Sequence, residues 1–293
     1  MTRWGILAAA LLGIVGCAQP EPRYLVGNPY RLGGVWSYPQ EDYALSETGL
    51  AEVLSAPVLG RQTANGEVLI AQGLTAAHRT LQLPAIIRVT NLENGRSMLL
   101  RVNDRGPEKP GRILGVSPRA GALLGMTPGR ATQIALVVEA EQSRAAAEGL
   151  PGEAPPPIAI AAAPRAAVMR EELAPLPGTR EAPRREVQPL PRAAQVQEAP
   201  PATRAVIAAL PEAVAQGTPR PGRLFVDAGQ FSQRDTAARV AARLPGARVT
   251  QQGSGRNAAF RVALGPFADV ARADLALERT LAAGVFGARI IVE

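Results

Sequence analysis

Three observations point to a mostly β barrel, a long Pro/Ala-rich linker and a closing α+β module. Short apolar, β-branched runs recur between Thr48 and Glu139, punctuated by Gly, Pro or Asn, as a small all-β domain requires. From Ala140 to Arg220 the composition changes abruptly, and residues 151–220 hold about half of the 27 prolines. Between Pro221 and Glu293 a strand–helix–strand pattern occurs twice.

Residues 1–17 come first. An arginine, an apolar run from Trp4 to Val15 and then Gly16-Cys17 make an export signal, too short to span a bilayer as a helix. The ending Ile14-Val15-Gly16-Cys17 resembles the bacterial lipobox, which implies that Cys17 is lipidated and anchors the chain to a membrane. Ala18 follows, and in such signals it is an aspartate there that retains a protein at the inner membrane, so the outer membrane is the expected address. Cys17 is the only cysteine, so no disulfide can staple an exported fold and buried cores must hold it.

Residues 18–47 carry Tyr30, Trp36, Tyr38 and Tyr43, too aromatic for a plain spacer. Two roles are open to them: a strap laid on the barrel, or part of a binding groove. The barrel is expected over residues 48–139, with strands at Gly49 to Leu54, Ala85 to Thr90, Met98 to Val102, Arg112 to Val116 and Gln133 to Val138. One helix interrupts them, with Ser117 as N-cap, Pro118 in the first turn and Gly125 as the stop.

The linker, residues 140–220, carries nine Arg against nine acids and is expected to be a disordered tether, with a transient helix over Ala202 to Ala215. The module over residues 221–293 reads as βαββαβ, the ferredoxin-like plan. Its strands are expected at Leu224 to Gly229, Ala247 to Gln251, Phe260 to Leu264 and Ala288 to Val292, and its helices at Asp235 to Leu244 and Asp269 to Leu281. The net charge of +7 lies on the two folded parts. The Arg residues are scattered, Lys109 is the single lysine, and the chain carries an export signal, which together argue against nucleic acid. No metal-ligand spacing, cofactor motif or Ser–His–acid order stands out, so no metal and no cofactor is expected.

Chemistry concentrates between Thr63 and Pro107. This stretch holds TANGE (Thr63 to Glu67), LTAAH (Leu74 to His78) with the only histidine, RVTNLENGR (Arg88 to Arg96) and VNDRGP (Val102 to Pro107). Two carboxyl groups beside tight turns, Glu67 and Asp104, together with the His78 imidazole, suit acid/base work on a sugar bond. An acid beside a turn can equally well cap that turn or face water.

These motifs, in this order from Gly49 to Val138, resemble rare lipoprotein A, a family of septal lytic transglycosylases on a double-psi β-barrel. The resemblance implies Glu67, Asp104 and His78 as catalytic residues and Thr63, Asn65, Asn103 and Arg105 as substrate contacts. The expected activity is endolytic cleavage of peptide-stripped peptidoglycan glycan with 1,6-anhydromuramic ends. The tail phrases FVDAGQFSQRDTA and FRVALGPFADVARAD resemble the halves of a SPOR domain, which binds such denuded glycan, with Gln230, Phe231 and Arg261 as implied contacts. Both resemblances place the protein on the periplasmic side of the envelope, enriched at the septum. Three departures stand out: Ile70 and Gly115 occupy positions where the family has Asp, and Ala51 to Ser55 reads AEVLS where it has ASWYG. They leave open a competing role, a glycan-binding envelope lipoprotein whose barrel has lost catalysis.

Overall fold

The computed structural model describes residues 21–55, 59–152, 210–255 and 258–293. The signal, Cys17 and residues 153–209 of the linker lie outside the described residues. The first described segment is a strap with a hairpin, β1 (Tyr30–Leu32) and β2 (Val35–Ser37). Gly33 and Gly34 take φ of 57° and 80°, the positive pair that a two-residue hairpin turn demands. Leu25 bridges to Leu83, and Tyr30 Oη donates to the Arg79 carbonyl at 2.8 Å, so the strap is laid on the barrel.

The barrel strands are β3 (Ser46–Val53), β4 (Thr75–His78), β5 (Ala85–Asn91), β6 (Arg96–Asp104), β7 (Arg112–Val116) and β8 (Thr132–Val138). They pair in the order β4-β7-β3-β8-β5-β6, and pairing of β4 with β6 closes the ring. The β3–β7 and β4–β6 pairs are parallel and the others antiparallel. Alternation is plain on β8: Ile134, Leu136 and Val138 are buried while Val137 faces out. Leu83, Ile87, Leu100, Leu114 and Leu124 complete an apolar core. Helix α1 (Pro118–Leu124) starts where Ser117 Oγ accepts from Ala120 N and ends at left-handed Gly125.

The expected barrel strands are all present, β7 with the same bounds, β3 starting earlier and ending one residue sooner, and the others longer by one to four residues. A further strand, β4, sits on the LTAAH motif, too short for alternation to betray it. The expected linker start at Ala140 is instead a helix, α2 (Ala140–Ala147), whose Ser143 Oγ accepts from Ile86 N and donates to Ile86 O. Of the expected helix over 202–215, residues 202–209 lie outside the described residues. Its end is not helical: β9 (Ala215–Gln216) adds to the edge of β6.

The C-terminal module has β10 (Leu224–Phe231), α3 (Arg234–Ala241), β11 (Ala247–Gln252), β12 (Ala259–Phe267), α4 (Val270–Ala282) and β13 (Arg289–Val292). Its antiparallel sheet runs β11-β12-β10-β13, the ferredoxin-like order. Val226, Val262, Leu277 and Ile290 bury one sheet face against the helices.

A free tether would leave this module separate from the barrel, but the two pack together. Leu50 of β3 belongs to the module's apolar cluster. Arg112, almost fully buried, makes a fork to Asp274 of α4 at 2.7 and 2.8 Å. Thr48 Oγ1 donates to the Val292 carbonyl at 2.6 Å, and the Gln133 amide bonds both Gly222 N and Gly222 O. Gly111, at φ 80°, lets the surfaces meet: a Cβ there would lie 2.8 Å from Leu277 and 2.9 Å from Ile290.

Candidate active site

The segment 61–69 doubles back tightly. Thr63 N donates to Glu67 O at 2.7 Å, Gly66 N to Thr63 O at 3.0 Å, and Gln62 bridges to Val68. Gly66 has φ 92°, and a Cβ there would lie 2.7 Å from the Glu21 carbonyl, so only glycine fits. This turn delivers Glu67 beneath β6. Alternation along β6 gives Arg101 and Asn103 one face, and both meet the Glu67 carboxyl.

Four donated bonds hold that group. Oε1 accepts from Asn65 Nδ2 at 2.9 Å, Arg101 Nε at 2.9 Å and the second Arg101 nitrogen at 2.8 Å; Oε2 accepts from Asn103 Nδ2 at 2.7 Å. The Glu67 and Arg101 side chains are only 7% and 8% exposed. Thr63 Oγ1 in turn donates to Asn65 Oδ1 at 2.8 Å. Thr63, Asn65 and Asn103, expected to touch substrate, are thus buried supports of Glu67. Asn103 Oδ1 is the exception in this cage, a buried acceptor with no partner.

Asp104 is held by the other side of the same turn. Its Oδ1 accepts from Ala64 N at 2.9 Å and Arg105 N at 2.8 Å, and its Oδ2 accepts from Arg61 at 2.6 Å. The Arg61 side chain is 54% exposed, against 5% for Asp104, so one surface side chain covers Oδ2. The Arg105 guanidinium, expected on substrate, donates to the carbonyls of Leu81 and Val26 and ties the strap to the barrel.

His78 is turned to a different partner. Its Nδ1 accepts from Thr80 N at 3.2 Å and Leu81 N at 3.1 Å, so the ring proton sits on Nε2, which donates to Glu47 Oε1 at 2.9 Å. Burial works to raise the Glu47 carboxyl, but the His78 bond and the nearby Arg289 charge outweigh it and hold the group below its ordinary value. The structure therefore brings Glu67 and Asp104 to one turn, while His78 is bonded to Glu47.

In the C-terminal module, Gln230 is exposed and donates to Gln252 Oε1 at 2.7 Å. Phe231 packs against the module core. Arg261 is engaged by Asp227 at 3.1 Å and by Glu293, which leaves it 12% exposed. The family departures also find places. Ile70 is 53% exposed. A Cβ at Gly115 would lie 2.6 Å from Leu54 Cδ2, so Leu54 of the altered AEVLS segment occupies the room an aspartate would need. Sequence reasoning missed Arg101, Arg61 and Glu47; the signal for Arg101 was a charge inside the apolar run SMLLRV. Among the described residues no group of three or more His, Cys, Asp or Glu could hold a metal ion, and no helix is long and apolar enough to cross a membrane.

The structure thus has a closed six-stranded barrel, in which the turn that carries Glu67 also bonds Asp104, packed against a ferredoxin-like module. Residues 51–138 match the family described as lytic transglycolase, and residues 221–290 match the SPOR domain; the chain carries both. Similar proteins include the endolytic peptidoglycan transglycosylase RlpA of Pseudomonas aeruginosa (strain UCBPP-PA14), 43% identical over 108 residues, covering 36% of this chain and 32% of that protein. RlpA of Rickettsia bellii (strain RML369-C) is 42% identical over 104 residues, covering 34% and 46%. RlpA of Yersinia pestis is 36% identical over 138 residues, covering 45% and 38%. The matched stretches span less than half the length of these relatives.

Proposed function

We propose that the protein is an endolytic lytic transglycosylase acting on peptidoglycan glycan. The observation that carries this reading is the pair of carboxyl groups that one turn of the matched barrel holds, Glu67 on the turn itself and Asp104 at the end of β6, bonded to Ala64 N of that turn. The reaction needs one group to protonate the glycosidic oxygen and then accept the proton of the muramic 6-hydroxyl as that oxygen attacks the anomeric carbon. One carboxyl can serve both steps because no water is activated. Asp104 is assigned this role, since its Oδ2 becomes free when the exposed Arg61 moves aside. Glu67, fixed by Arg101, Asn65 and Asn103, is assigned the stabilisation of positive charge on the sugar. His78 positions the barrel wall through Glu47.

The proposal extends to the finer points. The substrate is glycan freed of its stem peptides, the SPOR module supports enrichment at the septum, and Cys17 carries a lipid that holds the protein at the outer membrane. Incubation of the full chain with peptide-stripped glycan should release 1,6-anhydromuramic ends by mass spectrometry. Binding without such ends would instead favour a non-catalytic glycan-binding role. A full-length fluorescent fusion should gather at midcell, and a diffuse envelope signal would remove the septal assignment. Cys17→Ala should leave the outer-membrane fraction; unchanged partition would remove the anchor.

A further inference from the structure

Where the strap hairpin, the barrel and the α4–β13 loop meet, they enclose a pocket of about 250 Å³. Its rim carries three aromatic rings that burial has not consumed: Trp36 is 52% exposed, Tyr38 64% and Phe286 61%. Three guanidinium groups line it against one carboxylate, Glu47. Arg79 is spent on the carbonyls of Leu32 and Glu108 and on Ser37 Oγ, so it fixes the hairpin. Arg112 forks to Asp274 but keeps a buried Nε without a partner. Arg289 is held only loosely, 3.5 Å from Glu47 and 3.9 Å from Asp227, with its side chain 55% exposed.

We propose that this pocket, shared by the two modules, binds one acidic sugar of the glycan, with Trp36 and Phe286 as stacking faces and Arg289 as the partner of its carboxylate. The proposal rests on the reading of the chain as a glycan-cleaving protein and adds a subsite that neither module makes alone. The chemistry follows from the lining. Exposed ring faces in a concavity suit the apolar face of a pyranose. A guanidinium with unfilled donors selects a carboxylate such as the lactyl group of muramic acid. The volume lies just below the usual range of about 300 to 1,000 Å³ for small-molecule sites, which suits one residue of a longer strand.

Trp4 lies in the export signal, so the chain from Cys17 onward keeps Trp36 as its single tryptophan and a reporter inside the pocket. In that chain, N-acetylmuramic acid should alter the fluorescence saturably. N-Acetylglucosamine, which lacks the carboxylate, should bind about tenfold or more weakly, as loss of one charge-assisted bond implies. Arg289→Gln should abolish the discrimination, and Phe286→Ala should weaken both sugars. Calorimetric titration reads the same binding independently of the ring's response. Equal affinity for the two sugars, or no binding by either method, would overturn the proposal. Glycan cleavage measured on the same samples separates the two readings. Cleavage without muramic acid binding removes the pocket and leaves the enzyme; binding without cleavage does the reverse.

Discussion

Replacing Glu67 tests the cage most sharply, because two substitutions there should behave very differently. Glu67→Ala removes the acceptor of four hydrogen bonds and leaves Arg101, 8% exposed, as an unpaired buried cation. Breaking a buried pair from one side costs about 3–5 kcal/mol, a large share of the roughly 5–15 kcal/mol that holds a domain together. For a barrel of this size the melting temperature should fall by more than about 12 °C. Glu67→Gln keeps an oxygen for Arg101 but turns an amide nitrogen towards Asn103 Nδ2. Asn103 can answer by rotating its amide half a turn, because its Oδ1 is buried without a partner. The net loss is then on the order of 1–2 kcal/mol. Both variants should lose cleavage by about a hundredfold or more, since the charge that stabilises the sugar cation is gone. Circular-dichroism melting of the full chain, with cleavage assayed on the same samples, decides the matter. If Glu67→Gln melts as low as Glu67→Ala, the rescue by Asn103 is wrong. If it melts near wild type and still cleaves at full rate, Glu67 has no part in the chemistry.

Asp104→Asn should abolish cleavage, whereas Arg61→Ala, which uncovers Oδ2, should leave the rate equal or raise it; loss of activity in Arg61→Ala would make that arginine a catalytic partner. The Glu47 carboxyl is held below its ordinary value near 4.5, so its contribution to stability is complete above about pH 4.5 and lost as pH falls through the lowered value. Glu47→Gln should therefore flatten the acid limb of the stability profile in urea titrations, and an unchanged acid limb would refute the assignment. Gly111→Val places branched carbon against Leu277 and Ile290, so it should part the two modules, visible as an increased radius in small-angle scattering; an unchanged radius would show that the surfaces give way.

The strands with a clear apolar rhythm were legible from sequence, as β8 illustrates, and so were the caps of α1, because Ser117, Pro118 and Gly125 each have one local job. Helix α2 was not legible. Its composition, AEQSRAAA, is that of the linker it precedes, and the contact that fixes it is the tertiary bond from Ser143 to Ile86. The motif residues Glu67 and Asp104 could be named, but not their surroundings. Whether an acid faces water or a guanidinium depends on which strand lies across from it, and Arg101 is thirty-four residues from Glu67 in sequence. The same limit hid the docking of the C-terminal module, where Arg112 and Asp274 are separated by 162 positions.

Both ends of the Pro/Ala-rich segment are fastened to the same body. On one side Tyr24 N donates to the Pro151 carbonyl at 2.9 Å; on the other, Ala215 and Gln216 pair with β6 and Arg220 N donates to Leu92 O at 2.8 Å. The contacts of Gly111, Arg112 and Asp274, and not the chain between Pro151 and Leu210, therefore set the distance between barrel and C-terminal module. The cost of joining two fixed points by chain grows by only about 0.6 kcal/mol for each doubling of its length. Halving or doubling this segment should leave the pairing of the two modules almost untouched, so its length is free to drift while Gly111, Arg112 and Asp274 are not.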